Sequence, residues 1–291
     1  MSGRRLWGTL VVMQNAVSTI GPRFDVEARV LSHERVIGQE FEIVFEAPDI
    51  ARAAQPGQFL ELLFGESYAP LLRRPFSLYR VDREAGTCSV LYLARGSFTS
   101  GLAQKRAGDR VSLLGPLGRP YRWQVGEVGR HILIAGGIGA PPLYFLAHEL
   151  SRTAGIDPAQ VVVVNAARTR DLLVGMTEFG NLNIVLQAVT DDGSQGARGM
   201  ATELLTRLLD EDAAPTHLYS CGPMPMLRAV GEIALARGLP CQLSIETSMP
   251  CGIGLCQGCV VSLHAPELPE RSRNALACVE GPVFDAHLLR W

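Results

Sequence analysis

Four cysteines near the C-terminus constrain this chain more than any other feature. They are spaced Cys251-x4-Cys256-x2-Cys259, with Cys278 farther along. Three thiolates from one tight loop and a fourth from beyond it form the plant-type ligand pattern of a [2Fe–2S] cluster. Gly252, Gly254 and Gly258 stand between them. Lacking a Cβ, they let the loop curl through positive φ and bring N–H groups up to the sulfurs. The rival is a structural zinc site, which normally takes two short Cys/His pairs, whereas this stretch holds one C-x-x-C.

The 291 residues, 47% of them hydrophobic, suffice for two globular domains and a small module. A formal net charge of −2 argues against a nucleic acid or an anionic membrane as partner. Cys88, Cys221 and Cys241 lie outside the cluster motif. An odd remainder in apolar or strand-like surroundings predicts free thiols and a cytoplasmic location. The longest uncharged run, Ile132 to Ala147, is broken by glycines and Pro141-Pro142. It falls short of the roughly 20 residues a membrane helix needs. Arg4-Arg5 ahead of Leu6 to Met13 has the outline of a signal peptide, but Gly8 and Thr9 interrupt the apolar segment and no A-x-A site follows. Residues 1–22 therefore read as an N-terminal extension.

From Phe24 to Leu114 the chain reads as six short alternating runs: 24–37, 41–47, 59–64, 76–81, 88–94 and 110–114. Turn signals such as Pro56-Gly57 and Ala107-Gly108-Asp109 separate them, which predicts a small antiparallel β-barrel. After His131 the strands become continuously apolar, as in Ile132–Ala135, Val161–Val164, Ile184–Val189 and Leu218–Ser220. Such runs suit strands buried on both faces. Helical stretches at about 143–152, 199–209 and 224–237 intervene, giving the βαβα order of a doubly wound parallel sheet. The expected division is a barrel over 23–121, an α/β domain over 122–240 and a cluster module over 241–291.

A barrel followed by a nucleotide-binding α/β domain resembles the ferredoxin–NADP reductase superfamily over about residues 23–240. Arg74-Pro75-Phe76-Ser77 matches that superfamily's Arg-x-[Phe/Tyr]-[Ser/Thr] signature. The match implies FAD, with Arg74 reaching the pyrophosphate, Phe76 against the isoalloxazine and Ser77 near its reactive N5. Taken alone, Arg73-Arg74 would be a solvated pair entering a strand. Gly96-Ser97-Phe98-Thr99 tips the balance, because a helix opening there offers free N–H groups to an anion. Gly96, Thr99 and Ser100 are thus candidates for the other side of the pyrophosphate, with Tyr92 and Leu93 flanking the ribityl chain or ring.

Ala135-Gly136-Gly137-Ile138-Gly139-Ala140-Pro141-Pro142 falls where the first parallel strand turns into a helix. Gly136, Gly137 and Gly139 would let the backbone approach a dinucleotide pyrophosphate. Such a turn is weak evidence alone. Cys221-Gly222-Pro223 after a later strand matches the superfamily segment that borders the nicotinamide. The bland reading of Cys221 is an inert buried thiol.

The cluster motif, with Cys278-Val279-Glu280-Gly281-Pro282-Val283-Phe284 behind it, resembles the electron-transfer subunits of NAD-dependent (class 1B) dihydroorotate dehydrogenases. Thr190-Asp191-Asp192-Gly193-Ser194 is also a close match to them. The resemblance implies an oxidoreductase subunit working in pyrimidine biosynthesis. Its partner would be an FMN-containing catalytic subunit that oxidises dihydroorotate to orotate, in a heterotetramer with two copies of each. Electrons would run from partner FMN through the cluster and FAD to NAD+, with Ser77 and Cys221 beside the transferred hydride. The layout is also similar to NAD(P)H-dependent ferredoxin oxidoreductases and sulfide dehydrogenase subunits. A zinc-binding regulatory module is the non-enzymatic alternative. Arg168 and Arg170 follow the second parallel strand, where arginine can pair with the 2′-phosphate of NADP. Asp171 can engage them, and the expectation with the resemblance is NAD.

Overall fold

The computed structural model describes residues 21–65, 71–124, 129–152, 156–265 and 268–291. Of the extension expected over 1–22, all but the last two residues lie outside this range.

The first sheet contains β1 (Phe24–Ile37), β2 (Glu40–Glu46), β3 (Phe59–Leu63), β4 (Arg74–Ser77), β5 (Val81–Asp82), β6 (Thr87–Leu93) and β7 (Arg110–Leu117), in the order β4-β3-β7-β1-β2-β6-β5. Two short helices, α1 (Pro48–Ala53) and α2 (Ser97–Leu102), interrupt it. Its edges are joined by one continuous segment. Ser77 pairs with Phe59 and the Leu78 N–H donates to the Gln58 carbonyl at 3.1 Å. The Tyr79 N–H then donates to Ser89 at 2.9 Å, and Val81 pairs with Cys88. Residues 74–82 thus begin on β3 and end on β6, which closes the sheet into a barrel. Six runs in sequence become seven strands because this crossing bends. Its interior is filled by Val30, Ile43, Phe45, Leu60, Leu62 and Val90 among others, all buried. Burying each such side chain contributes about 1.5–3 kcal/mol.

The second sheet comprises β8 (Arg130–Gly136), β9 (Val161–Ala167), β10 (Val185–Thr190), β11 (Ala197–Arg198), β12 (Thr216–Cys221), β13 (Cys241–Ser244) and β16 (Val283–Asp285), in the order β11-β10-β9-β8-β12-β13-β16. Helix α3 (Ala140–Arg152) and the short α4 (Met176–Gly180) cover one face, packing on Leu133 and Val163. Helices α5 (Ala201–Glu211) and α6 (Met224–Arg237) cover the other, packing on Ile132, Ile134, Val162 and Val164. Alternate residues of each strand feed opposite apolar layers, which is why these strands read as unbroken hydrophobic runs. The order reverses between β8 and β12, making that junction the topological switch point.

The sheet does not stop at residue 240. Strand β13 pairs in parallel with β12, and β16 pairs antiparallel with β13. The boundary expected at 240/241 therefore falls inside the sheet. Four residues with two polar side chains carry too little periodicity to show which sheet owns them. Between β13 and β16 the chain loops out to form the cluster loop, the hairpin β14 (Val260–Ala265) and β15 (Leu268–Leu276), and α7 (Ala277–Glu280).

Candidate functional site

The cysteine loop wraps tightly. Gly252 and Gly254 take φ of 66° and 83°, as their positions require. Gly258 does not. Gln257 takes the positive φ of 55° instead, and Gly258 sits close to Pro250, where a Cβ would lie 3.3 Å from Cδ. The thiols fall into two pairs. The Cys256 N–H points at Cys251 Sγ from 3.4 Å, while Cys259 Sγ and Cys278 Sγ are 3.3 Å apart. Among the described residues no three His, Cys, Asp or Glu side chains come together to share one ion. Four thiols carried on one loop and the helix behind it are the donor set a [2Fe–2S] cluster takes. Backbone amides serve as well: the Gly258 N–H lies 3.4 Å from Cys256 Sγ and the Cys278 N–H 3.4 Å from Cys259 Sγ. Burial works to raise the Cys251 thiol, but the N–H groups of Cys256, Ile253 and Leu255 outweigh it and bring it down to about 7. Burial and the adjacent Cys259 push Cys278 up to about 12. Cys251 and Cys256 thus lie at or near the surface, and Cys259 and Cys278 are buried.

The flavin motif lies on β4. Arg74 is exposed, its guanidinium donating to the Leu72 and Arg73 carbonyls at 3.0 Å and lying 5.7 Å over the Phe98 ring. Phe76 is half-buried between Tyr92 and Phe98, at 5.8 and 5.9 Å. Ser77 follows it on the strand. Tyr92 is buried behind Phe76, its hydroxyl 3.0 Å from His33 Nε2, and Leu93 is half-buried at the strand end. The Thr99 hydroxyl oxygen accepts the Arg95 and Gly96 N–H groups at 3.0 Å, so this side chain shapes the turn opening α2. Ser100 is exposed one residue on. The structure thereby brings Arg74, Phe76, Phe98 and the Gly96–Ser100 turn together at one end of the barrel.

The dinucleotide motifs converge at the switch point. Ala135 pairs with Cys221 in the sheet. A Cβ on Gly139 would land on the Cys221 carbonyl oxygen, and one on Gly222 would lie 3.0 Å from Gly136 Cα. The two loops therefore press together only because they are glycines. Gly137, φ 53°, has open space before it. Pro223 is exposed and leads into α6. Cys221 is buried, and burial pushes its thiol up to about 12, which leaves it neutral and inert. At the far end of this edge Arg168 and Arg170 are exposed. Asp171 meets Arg170 at 3.5 Å across an exposed surface. The Arg170 N–H donates to Ser194 Oγ at 2.8 Å, and the Ser194 hydroxyl donates to Asp192 at 2.6 Å. The Thr190–Ser194 turn is thus docked on the arginine loop.

Comparison with known proteins follows the same outline. A family model described as the iron–sulfur cluster binding domain of dihydroorotate dehydrogenase B matches residues 246–290. One described as an oxidoreductase NAD-binding domain matches 133–232. The dihydroorotate dehydrogenase B (NAD(+)) electron transfer subunit of Desulforamulus reducens is 37% identical over 267 residues, covering 91% of this chain and 98% of that one. The corresponding subunit of Geobacillus thermodenitrificans is 36% identical, covering 88% and 95%. The chain belongs to the dihydroorotate dehydrogenase B electron-transfer subunits. Among solved structures, a chain of an NADH-dependent reduced ferredoxin–NADP oxidoreductase superposes with a TM-score of 0.77 at 27% identity, over 91% of this chain and 90% of that one. A ferredoxin–NADP+ reductase from Neisseria gonorrhoeae, with bound FAD and NADP, shares the fold at TM-score 0.59 and 17% identity, over 74% and 92%.

In this electron-transfer subunit two residues carry roles that the sequence reading did not give them. Arg73 is a tie, donating to Asp25 at 2.9 Å and to the Glu61 and Ser112 carbonyls at 3.3 and 3.2 Å, which leaves Arg74 as the outward-facing member of the pair. Glu61, opposite Pro75 in the sheet, is completely buried with neither carboxyl oxygen hydrogen-bonded. A Cβ on Gly252 would come within 2.6 Å of its Cγ. Burial, then the Cys251 thiolate, raise its carboxyl to about 8 despite Arg73 and Arg74. Its signal was in the sequence, as one acid inside Phe59-Leu60-Glu61-Leu62-Leu63. That a cysteine loop packs on it was not.

Proposed function

We propose that this chain receives electrons from an FMN-bearing catalytic subunit that oxidises dihydroorotate to orotate, and delivers them to NAD+, in an assembly of two copies of each subunit. The observation that carries the reading is the shared wall at Glu61, which pairs with the flavin strand at Pro75 on one side and packs on the cluster loop at Gly252 on the other. When bound, the [2Fe–2S] cluster and FAD supply the exchange between single electrons and a hydride. The protein's part is holding and placing. Cys251, Cys256, Cys259 and Cys278 hold the cluster. Arg74, with the Gly96–Ser100 turn, takes the flavin pyrophosphate, while Pro75, Phe76, Ser77, Tyr92 and Leu93 shape the ring site. Gly136, Gly137 and Gly139 admit the dinucleotide backbone, and Cys221, Gly222 and Pro223 border the nicotinamide opposite Ser77. The turn docked on Arg170 places Asp191 and Asp192 beside the arginines, which favours the free hydroxyls of NAD. No helix among the described residues is long and apolar enough to cross a membrane, and the free cysteines suit the cytoplasm.

The test is Cys256→Ser in the complex with the catalytic subunit. FAD content and NADH-to-dye activity should persist, while dihydroorotate-dependent NAD+ reduction is lost. Full retention of that reduction would refute the circuit. A second reading, an NAD(P)H-dependent ferredoxin oxidoreductase subunit, is favoured by exposed Arg168 and Arg170 and by the 27% identical structure. A higher kcat/KM with NADPH than with NADH would select it.

A further inference from the structure

The flavin motif sits on the barrel and the nicotinamide motif on the α/β domain, so the gap a hydride crosses is set by how the two domains dock. We infer that Arg80, assisted by Arg83, is a positioning residue that fixes this docking; the inference rests on the flavin and nicotinamide sites proposed above. Arg80 lies three residues beyond Ser77 on the segment that closes the barrel. Its guanidinium reaches Glu42 of the barrel at 3.3 Å and Glu178 of α4 at 3.4 Å. It also lies 4.9 Å over the ring of Tyr79 and 5.7 Å over that of Tyr144 on α3. Arg83 bridges the same way, donating to Glu149 of α3 at 2.8 Å and to the Ala54 carbonyl of the barrel at 3.1 Å. Both arms end on α3, the helix that starts directly after Gly139. A shift at Tyr144 or Glu149 is therefore a shift of the dinucleotide turn.

Two further observations single out these arms. A groove of about 470 Å³, lined by Glu42, Tyr79, Arg80, Tyr144 and His148, opens between barrel and helix here, beside the apolar contact that Phe145 of α3 makes with the barrel core, so the two arginines are the polar ties across this opening. On the far side of the switch point the Tyr121 hydroxyl donates to the Ser220 carbonyl at 3.2 Å, next to Cys221. The domains are pinned at Tyr121 and latched at Arg80. Half-exposed ion pairs do little for stability, whereas a displacement near 1 Å of a reacting group can cost about 100-fold in rate. A planar guanidinium that spans two carboxylates and stacks on two rings has no equivalent in lysine.

The experiment compares wild type, Arg80→Met, Arg80→Lys and Glu178→Gln in the complex with the catalytic subunit. Stopped-flow mixing with NADH, and with its 4-deuterated form, reports the rate of flavin reduction, its isotope effect and the nicotinamide–flavin charge-transfer absorbance. Hydrogen exchange over α4 reads the docking itself. Arg80→Met should reduce flavin about 10-fold more slowly at saturating NADH, with a larger isotope effect, weaker charge-transfer absorbance and faster exchange in α4. FAD content and NADH affinity should stay within about twofold, and Arg80→Lys should fall between. Unchanged reduction in Arg80→Met overturns the latch, as does a loss proportional to lost FAD. If Arg80→Met does not fold, Glu178→Gln decides on the same criteria. Ser77→Ala, run beside them, tests the flavin site separately: an effect there with none in Arg80→Met sinks the latch alone.

Discussion

A buried carboxyl group reports its surroundings through pH. Glu40, at the start of β2, is 3% exposed, and burial, with Glu178 beside it, raises its carboxyl from 4.5 to about 7 against the pull of Arg95. Because the folded value lies above the unfolded one, Glu40 favours the fold fully below pH 4.5 and loses that contribution as pH rises toward 7. Glu40→Gln cannot ionise. Its apparent Tm should match wild type at pH 4.5 and exceed it increasingly up to about pH 7, with a constant margin above. A margin that does not vary with pH would remove Glu40 from this role. Single residues were legible in the sequence where chemistry is carried by residue type, as with the four thiols. Glu40 and Glu61 were not, because their meaning comes from α4 and the cluster loop, more than a hundred residues away.

At the scale of elements, the contact between the β8 and β12 turns is the most sensitive feature. Gly139→Ala would drive a methyl group into the Cys221 carbonyl and part the two loops. NADH binding should weaken by at least about 10-fold while the barrel keeps its FAD, as titration of flavin fluorescence and of NADH would show. Undiminished NADH affinity would mean that the loops do not need this contact. The long elements were legible, since buried parallel strands and α3, α5 and α6 each repeat their pattern over several residues. The bend at Leu78–Arg80 was not, because a strand passing from one partner to another keeps its alternation. Nor was β16, whose three residues carry no period.

At the scale of the whole molecule, the cluster loop ends in exposed apolar side chains. Ile253 and Leu255 are 42% and 79% accessible beside the exposed Cys256. An electron-transfer loop of that composition suits burial against the catalytic subunit. Leu255→Glu should dissociate the complex on gel filtration while leaving the isolated subunit's spectrum unchanged; an intact complex would place the interface elsewhere. The arrangement of modules was the least legible level, since nothing in residues 241–244 shows that they belong to the α/β sheet.

That arrangement makes the cluster lobe a cassette. Strands β13 and β16 run antiparallel, with Ser244 directly opposite Val283. Directly paired residues lie about 5 Å apart, within reach of a two-residue turn. Everything from Ile245 to Pro282 could therefore be exchanged for a short hairpin without cutting a ladder of the sheet. The lobe is still not a free appendage, because Met249, Cys259, Leu263, Ala275 and Ala277 share one apolar cluster with Ile132, Ile134 and Leu243 of the sheet, so its removal would spare the ladders but open that face.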